Sequence, residues 1–211
     1  MMSALVSGLK ALGLETQGPR VQRLEAYLQE IDLWNPRYGL TAPGEDVVGR
    51  HILDSLSGLA SIQELQPKRL ADVGSGAGFP GIPLAIWLEE TQIHLIERSG
   101  RRAGFLENAV LALGLKNVTV HECAVEKVRQ DEAGFDVVTF RAWSAVDASL
   151  VKLLAPLLAP GGCIAAYKGR RDVAEAEIHA AGDTIESSRL VPLNVPGNKD
   201  PRHMAFLTPK K

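Results

Sequence analysis

The sequence predicts an α/β fold: a doubly wound, mostly parallel sheet with an antiparallel strand at the C-terminal end and a helical extension at the N-terminal end. Three observations predict it. Before Pro67 apolar residues recur at helical spacing; after it short apolar runs alternate with helical stretches; and the first of those runs, Leu70-Ala71-Asp72-Val73, passes straight into a turn holding Gly74, Gly76 and Gly78. Strands alternating with helices are the pattern of a parallel sheet covered on both faces. Two parts are expected, a helical extension over residues 1–66 packed on the core and a sheet domain over 67–211.

In the extension, Val21, Leu24, Leu28 and Ile31 share one face of a helix that Asn35-Pro36 and Tyr38-Gly39 end in a loop. A further helix runs from Asp46 to about Ala60 and carries His51, Asp54 and Ser55. Beyond Pro67 the expected order is strand 69–73, helix 81–89, strand 92–96, helix 100–113, strand 117–121, strand 135–140, helix 147–155, strand 162–168 and helix 171–181. The tail holds two more strands, around Leu190-Val191 and Met204-Ala205-Phe206-Leu207. A turn rich in proline (Pro192, Pro196, Pro201) joins them as an antiparallel pair.

The 211 residues suit one principal core. Hydrophobic residues at 45% and charged residues at 23% are ordinary globular usage, and no apolar run approaches the ~20 residues that span a bilayer. Met1 to Leu14 lacks the basic flank and cleavage site of a secretory leader, so the expected location is the cytoplasm. Cys123 and Cys163 have neither CxxC nor Cys/His spacing and read as buried reduced thiols, with no metal site. A net charge of −2 argues against binding nucleic acid through whole-domain basicity. Basic residues instead cluster locally: Arg98, Arg101 and Arg102 after one strand, Lys168, Arg170 and Arg171 after another, and Arg202, His203, Lys210 and Lys211 near the end. Strand ends are where open α/β sheets place their sites.

Gly74, Gly76 and Gly78 lack the Cβ that would hold a ligand off the backbone, and they take positive φ at little cost. A dinucleotide loop needs G-x-G-x-x-G; here the third glycine comes one residue early and Phe79 stands in its place. The spacing G-x-G-x-G, with Asp72 two positions before it, resembles instead the loop of S-adenosylmethionine-dependent methyltransferases. Glu97, at the end of the strand Ile93-His94-Leu95-Ile96, is placed to accept from ribose hydroxyls. The turn Cys123-Ala124-Val125-Glu126 after the third strand is where adenine would be wrapped, or is an ordinary strand-to-helix turn.

Arg141 ends an almost continuously apolar strand, Phe135 to Phe140, and a buried arginine needs a partner. It faces the cleft, pairing with a cofactor carboxylate or RNA phosphate, or else forms an internal salt bridge. Tyr167-Lys168-Gly169-Arg170 ends the next strand in the same way. His51, Asp54 and Ser55 share a helix face but do not make a hydrolase triad, because such a nucleophile sits on a sharp strand-to-helix turn.

Taken together the chain resembles the bacterial glucose-inhibited division protein B family, which methylates guanine N7 in small-subunit ribosomal RNA. The resemblance rests on Trp34-Asn35-Pro36-Arg37-Tyr38-Gly39-Leu40-Thr41, on His51-Ile52-Leu53-Asp54-Ser55-Leu56, and on Asp72 through Pro83. It continues through Arg102 to Phe105, Arg141-Ala142, Lys168-Gly169 and Arg202-His203. It implies a class I, Rossmann-like methyltransferase domain over 67–211 and S-adenosylmethionine as cofactor. Gly74, Ser75, Gly76, Gly78, Phe79, Glu97, Ala124, Val125, Glu126 and Arg141 are the expected cofactor residues. Gly39 stands where the family usually has Asn, and Glu97 where it usually has Asp.

The implied partner is small-subunit ribosomal RNA or the assembled subunit, met by a monomer, with Arg101, Arg102, Lys168, Arg170, Arg171, Arg202 and His203 as candidate RNA contacts. Guanine N7 carries a lone pair and no proton, so no general base is needed, and Asp54, Asp72 and Arg141 are the only candidate catalytic groups. On the residues alone, a methyltransferase for a small molecule and a noncatalytic RNA- or ribosome-binding module stay open, and Phe79 disfavours a nicotinamide dehydrogenase.

Overall fold

The structure, a computed structural model, describes residues 2–129 and 132–210. Its centre is one seven-stranded sheet in the order β3-β2-β1-β4-β5-β7-β6. The strands are β1 (Arg69–Val73), β2 (Gln92–Glu97), β3 (Val118–Glu122), β4 (Phe135–Arg141), β5 (Leu158–Lys168), β6 (Ile185–Leu193) and β7 (Arg202–Pro209). Strands β1 to β5 pair in parallel, whereas β7 runs antiparallel to both β5 and β6.

Successive residues of a strand face opposite sides of the sheet, and both sides here are apolar. Leu70, Ile93, Leu95, Val137 and Ala165 face one cluster, built with α1 (Met2–Ala11), α2 (Pro19–Tyr38), α5 (Gly81–Trp87) and α6 (Gly100–Ala112). Ala71, Val73, Ile96, Val138, Phe140 and Ile164 face the other, closed by α7 (Ala148–Leu154) and α8 (Arg171–Ala181). The first cluster is continuous with Val21, Leu24, Tyr27, Leu28 and Ile31 of α2, so the helical extension and the sheet share one core. Asp147 caps α7 by accepting from the Leu150 amide at 2.8 Å, the usual role of an aspartate at that position.

Two expectations for the extension need correction. Asn35-Pro36 does not end α2: the helix carries Pro36 in its last turn and stops at Gly39, whose amide donates to the Asn35 carbonyl. That last turn is held by Trp34, 5.1 Å from the Tyr38 ring and 6.5 Å from Phe105 of α6. Gly39 has φ +59°, a left-handed cap position that glycine and asparagine take most readily. The position where the family usually has Asn therefore has a backbone reason for admitting either residue.

The single helix expected over 46–60 is instead three short pieces: a π-helical turn at Val48–Leu53, α3 (Asp54–Ser57) and α4 (Leu59–Gln63). The break falls at Gly58, where a Cβ would lie 2.4 Å from Met204 Cε and 2.5 Å from the Tyr167 hydroxyl. The chain bends there to let β5 and β7 approach. Among the described residues no helix is long and apolar enough to cross a membrane.

Candidate active site

The carboxyl ends of the parallel strands open onto a cleft with two compartments. The first grows from the turn after β1. Gly74, Gly76 and Gly78 have φ of +69°, +60° and +94°, positive values that glycine takes at little cost. The Gly74 and Ser75 amides donate to the Ile96 carbonyl at 2.9 and 3.2 Å, tying the loop to β2, and the Ser75 hydroxyl donates to the Asp72 carbonyl. Glu97 accepts from the Gly76 amide at 2.9 Å and from the Ser99 amide at 2.8 Å. From below, the Tyr27 hydroxyl of α2 donates to the Ala77 carbonyl.

Asp72 is sealed beneath this loop. Its Oδ2 accepts from the Gly81 amide at 2.9 Å, while its Oδ1 is buried with no protein partner. Burial pushes its pKa up to about 7. Asp72 therefore shapes the turn from loop to α5 and has no face toward the cleft. The Phe79 ring, 5% exposed, stacks on His51 at 4.8 Å and tilts against Tyr27 at 5.5 Å, so it packs the extension against the loop.

Beside the loop lies a narrow pocket of about 80 Å³, with Gly74, Ile96, Ala124, Val125, Glu126 and Trp143 among its walls. A larger compartment of about 400 Å³ opens over β4 and β5, walled by Asp54, Arg141, Trp143, Tyr167, Lys168 and Arg202. Trp143 belongs to both. Its indole lies against Gly74, where a Cβ would come within 2.3 Å of Cδ1, and it meets Phe140 edge-on at 5.8 Å. Sequence reasoning missed this residue. The signal was an aromatic residue two positions past the end of an apolar strand; what aims it is Ala142, whose φ of +51° turns the chain back over the loop.

The wall of the larger compartment is an ion-pair network. Arg141 donates to Asp54 at 3.1 Å and to the Arg50 carbonyl at 2.8 Å, and its guanidinium lies 5.4 Å from the Phe79 ring centre. It also donates to His51 Nδ1 at 2.6 Å. Arginine can only donate, so His51 must carry its proton on Nε2, which stands 3.1 Å from Glu45. Burial and the Arg141 charge lower the His51 pKa and keep the ring neutral. Arg202 reaches the other oxygen of Asp54 at 2.9 Å. With a side chain 3% exposed, Asp54 thus joins β4 to β7. Tyr167 donates to the Ser55 carbonyl at 2.6 Å. Ser55 is fully buried and its hydroxyl bonds the His51 carbonyl, so no triad exists here.

The expected cofactor residues are brought together: Gly74, Ser75, Gly76, Gly78 and Glu97 in the loop, Ala124, Val125 and Glu126 in the pocket wall, and Arg141 across the cleft. Gly76 leaves its side of the loop open, since a Cβ there would meet only the Gly74 carbonyl at 3.8 Å. An open glycine edge beside a narrow slot with Ile96, Ala124 and Val125 in its wall fits an adenosine with an amino-acid tail.

The expected RNA contacts are scattered. Lys168 pairs with Glu177 at 2.5 Å, Arg171 with Glu175 at 2.7 Å, and Arg170 with Asp172. His203 is buried against the Gly169 carbonyl at 2.7 Å, Lys210 pairs with Asp183, and Lys211 lies outside the described residues. Arg101 and Arg102 are exposed at the start of α6. Cys123 and Cys163 are free and half-buried, and burial pushes the Cys163 thiol up to about 11.

A family model described as rRNA small subunit methyltransferase G (GidB) matches residues 20–205. Two curated relatives carry the name "Ribosomal RNA small subunit methyltransferase G". One, from Ralstonia nicotianae, is 39% identical over 98% of this chain and 95% of its own length; the other, from Methylococcus capsulatus, is 40% identical over 97% of each. Among solved structures the chain resembles an O-methyltransferase from Bacillus cereus in complex with SAH, with a TM-score of 0.60 and 16% identity over 89% of this chain and 91% of that one. It also resembles a SAM-dependent O-methyltransferase from Thermotoga maritima, with a TM-score of 0.55 and 15% identity over 75% of this chain and 65% of that one. At such identities these structures speak for the fold.

Proposed function

The chain belongs to the rRNA small subunit methyltransferase G family, and from that premise we propose that it methylates N7 of a guanine in small-subunit ribosomal RNA. Its cofactor is S-adenosylmethionine, which when bound supplies an electrophilic methyl group on a sulfonium centre. The reading is carried by one observation: a narrow pocket walled by Ile96, Ala124 and Val125 at the ends of β2 and β3 meets a larger polar compartment at the ends of β4 and β5, with Trp143 common to both.

Each part has a task on this reading. Ala124, Val125 and Ile96 hold an adenine ring, the remaining lone pairs of Glu97 accept from ribose hydroxyls, and the backbone of Gly74 to Gly78 holds the amino-acid end. Trp143 and Phe140 keep water from the seam between the compartments. Arg141 fixes the compartment wall through Asp54, His51 and Phe79, and does not meet a ligand as a free cation. Of the two candidate carboxylates, Asp54 lines the cleft but is committed to Arg141 and Arg202, and Asp72 does not reach it.

The nucleophile needs no deprotonation, so holding the two reactants in line is the main contribution, worth on the order of 7–11 kcal/mol of barrier. In A-form RNA the N7 edge lies in a deep, narrow groove that side chains read poorly, so the target guanine is unpaired or turned out of its stack. The enzyme works as a cytoplasmic monomer on free RNA or on the assembled subunit.

Incubation with methyl-labelled S-adenosylmethionine and small ribosomal subunits lacking the modification is expected to yield 7-methylguanosine at one position. Label on another atom, or none, would overturn the proposal.

A further inference from the structure

We propose that the RNA backbone docks on the shoulder formed by Arg98, Arg101 and Arg102 with Arg37 beside them, and not on the opposite shoulder formed by Lys168, Arg170, Arg171 and Arg202. The inference rests on the reading above, that the substrate is ribosomal RNA. It separates two basic regions that are equivalent in sequence.

The opposite shoulder is already neutralised from within. Lys168 is held by Glu177 at 2.5 Å, Arg171 by Glu175 at 2.7 Å, Arg170 by Asp172, and Arg202 by Asp54 at 2.9 Å. To take a phosphate, Arg202 would have to desert a carboxylate that is itself almost fully buried. Lys168 would leave Glu177, which also accepts from the Val146 amide at 2.7 Å and holds the turn before α7. Cations committed in this way contribute little to a long-range positive field.

On the β2–α6 shoulder the opposite holds. Arg98, Arg101 and Arg102 are exposed, and among the described residues none has a carboxylate within ion-pair distance. Arg98 stands with Trp143 at the edge of the narrow pocket, so this shoulder leads directly to the cleft. Helices α2 and α6 pack antiparallel: Asn108 bonds Glu30 at 2.7 Å, and one turn on Phe105 meets Trp34. Continuing that register brings the exposed Arg37, near the end of α2, alongside Arg101 and Arg102.

The carboxylates near this shoulder keep their charge, but among the described residues none stands within ion-pair distance of these arginines. Glu30 accepts from Trp34 and Asn108, Glu122 lies against Gly100, and Glu126 lies in the pocket wall. On a chain of net charge −2, a local surface of uncommitted guanidinium groups is where phosphates would be attracted.

Two double variants of equal charge change test this: R101E/R102E on one shoulder and R170E/R171E on the other. Binding of small-subunit RNA by filter retention, its salt dependence, and the affinity for S-adenosylhomocysteine by calorimetry are measured for both. R101E/R102E is expected to weaken RNA binding by about tenfold or more and to flatten the log–log salt slope by about 0.7–0.9 for each phosphate that is no longer neutralised, with cofactor affinity unchanged. R170E/R171E should stay within about twofold of wild type. R101A/R102A gives a smaller shift in the same direction and shows that the effect is not repulsion by new carboxylates. Equal losses in the two double variants, or a larger loss in R170E/R171E, overturn the docking surface while leaving the methylation reading intact. A wild-type chain that neither binds nor methylates the RNA overturns both.

Discussion

The two banks of the cleft are built by different means. On the β1–β2 bank, carboxylates hold backbone: Glu97 takes the Gly76 and Ser99 amides, and Asp72 takes the Gly81 amide, all within a stretch of about thirty residues. On the β4–β5 bank, side chains hold side chains across the whole fold, and Asp54 meets Arg141 from 87 positions away. A bank made from backbone is shaped by glycine and tolerates little change in main-chain geometry. A bank made from charges depends on every partner being present.

That contrast can be broken from either side. The largest effect on folding should come from the charged bank: Asp54→Ala removes the common partner of Arg141 and Arg202 and should destabilise by about 3 kcal/mol, the low end for a broken buried pair because Arg202 is partly exposed. Denaturant melts measure it, and a loss under about 1 kcal/mol would show the network to be dispensable.

Next is Gly74→Val, on the backbone bank. It places a branched side chain at φ +69° and drives it into Trp143, and should weaken S-adenosylhomocysteine binding by about 100-fold, or about 2.7 kcal/mol, in calorimetry. An affinity equal to wild type would move the cofactor elsewhere.

The third concerns pH. Asp72 has a pKa near 7 in the folded chain against 3.8 when unfolded, so the folded state keeps its proton longer. Stability is therefore highest below the unfolded value and falls as pH rises from about 4 to about 7, then levels off. Asp72→Asn keeps an acceptor for the Gly81 amide and should lose that slope when thermal melts at pH 5 and pH 7.5 are compared. An unchanged slope would assign the pH dependence to other groups. The smallest effect is Tyr27→Phe, which leaves the Ala77 carbonyl without its donor and should cost about 1 kcal/mol of stability and loosen cofactor binding several-fold. A variant with full cofactor affinity would mean that α2 does not steady the loop.

The same contrast decides what could be read in advance. Glycine spacing and Glu97 were legible because their partners are backbone groups a few residues away or on the next strand, and strand β2 begins and ends within one residue of expectation, whereas Asp72, a candidate catalytic carboxylate in the sequence, lies sealed under the loop. Arg141 was legible only as an arginine that needed a partner; that the partner is Asp54 depends on the π-helical turn and the break at Gly58, neither of which has a periodicity to announce it. Trp143 was legible only as an aromatic residue past a strand end, because its place over the loop depends on a left-handed alanine. The basic residues were visible as charges, but whether each is committed to a carboxylate is a property of side-chain neighbours such as Glu177 and Glu175.

Asp54 also sets an order in time. A ribosome making this chain releases Asp54 about 150 residues before Arg202, and at about 5–20 residues per second that is a wait of roughly 7–30 s. The glycine loop is complete on the nascent chain long before the far wall of the cleft can close. Residues far apart in the polypeptide meet on one carboxylate, so a chain released only as far as Pro201 holds every strand of the parallel sheet and still lacks the second partner of Asp54.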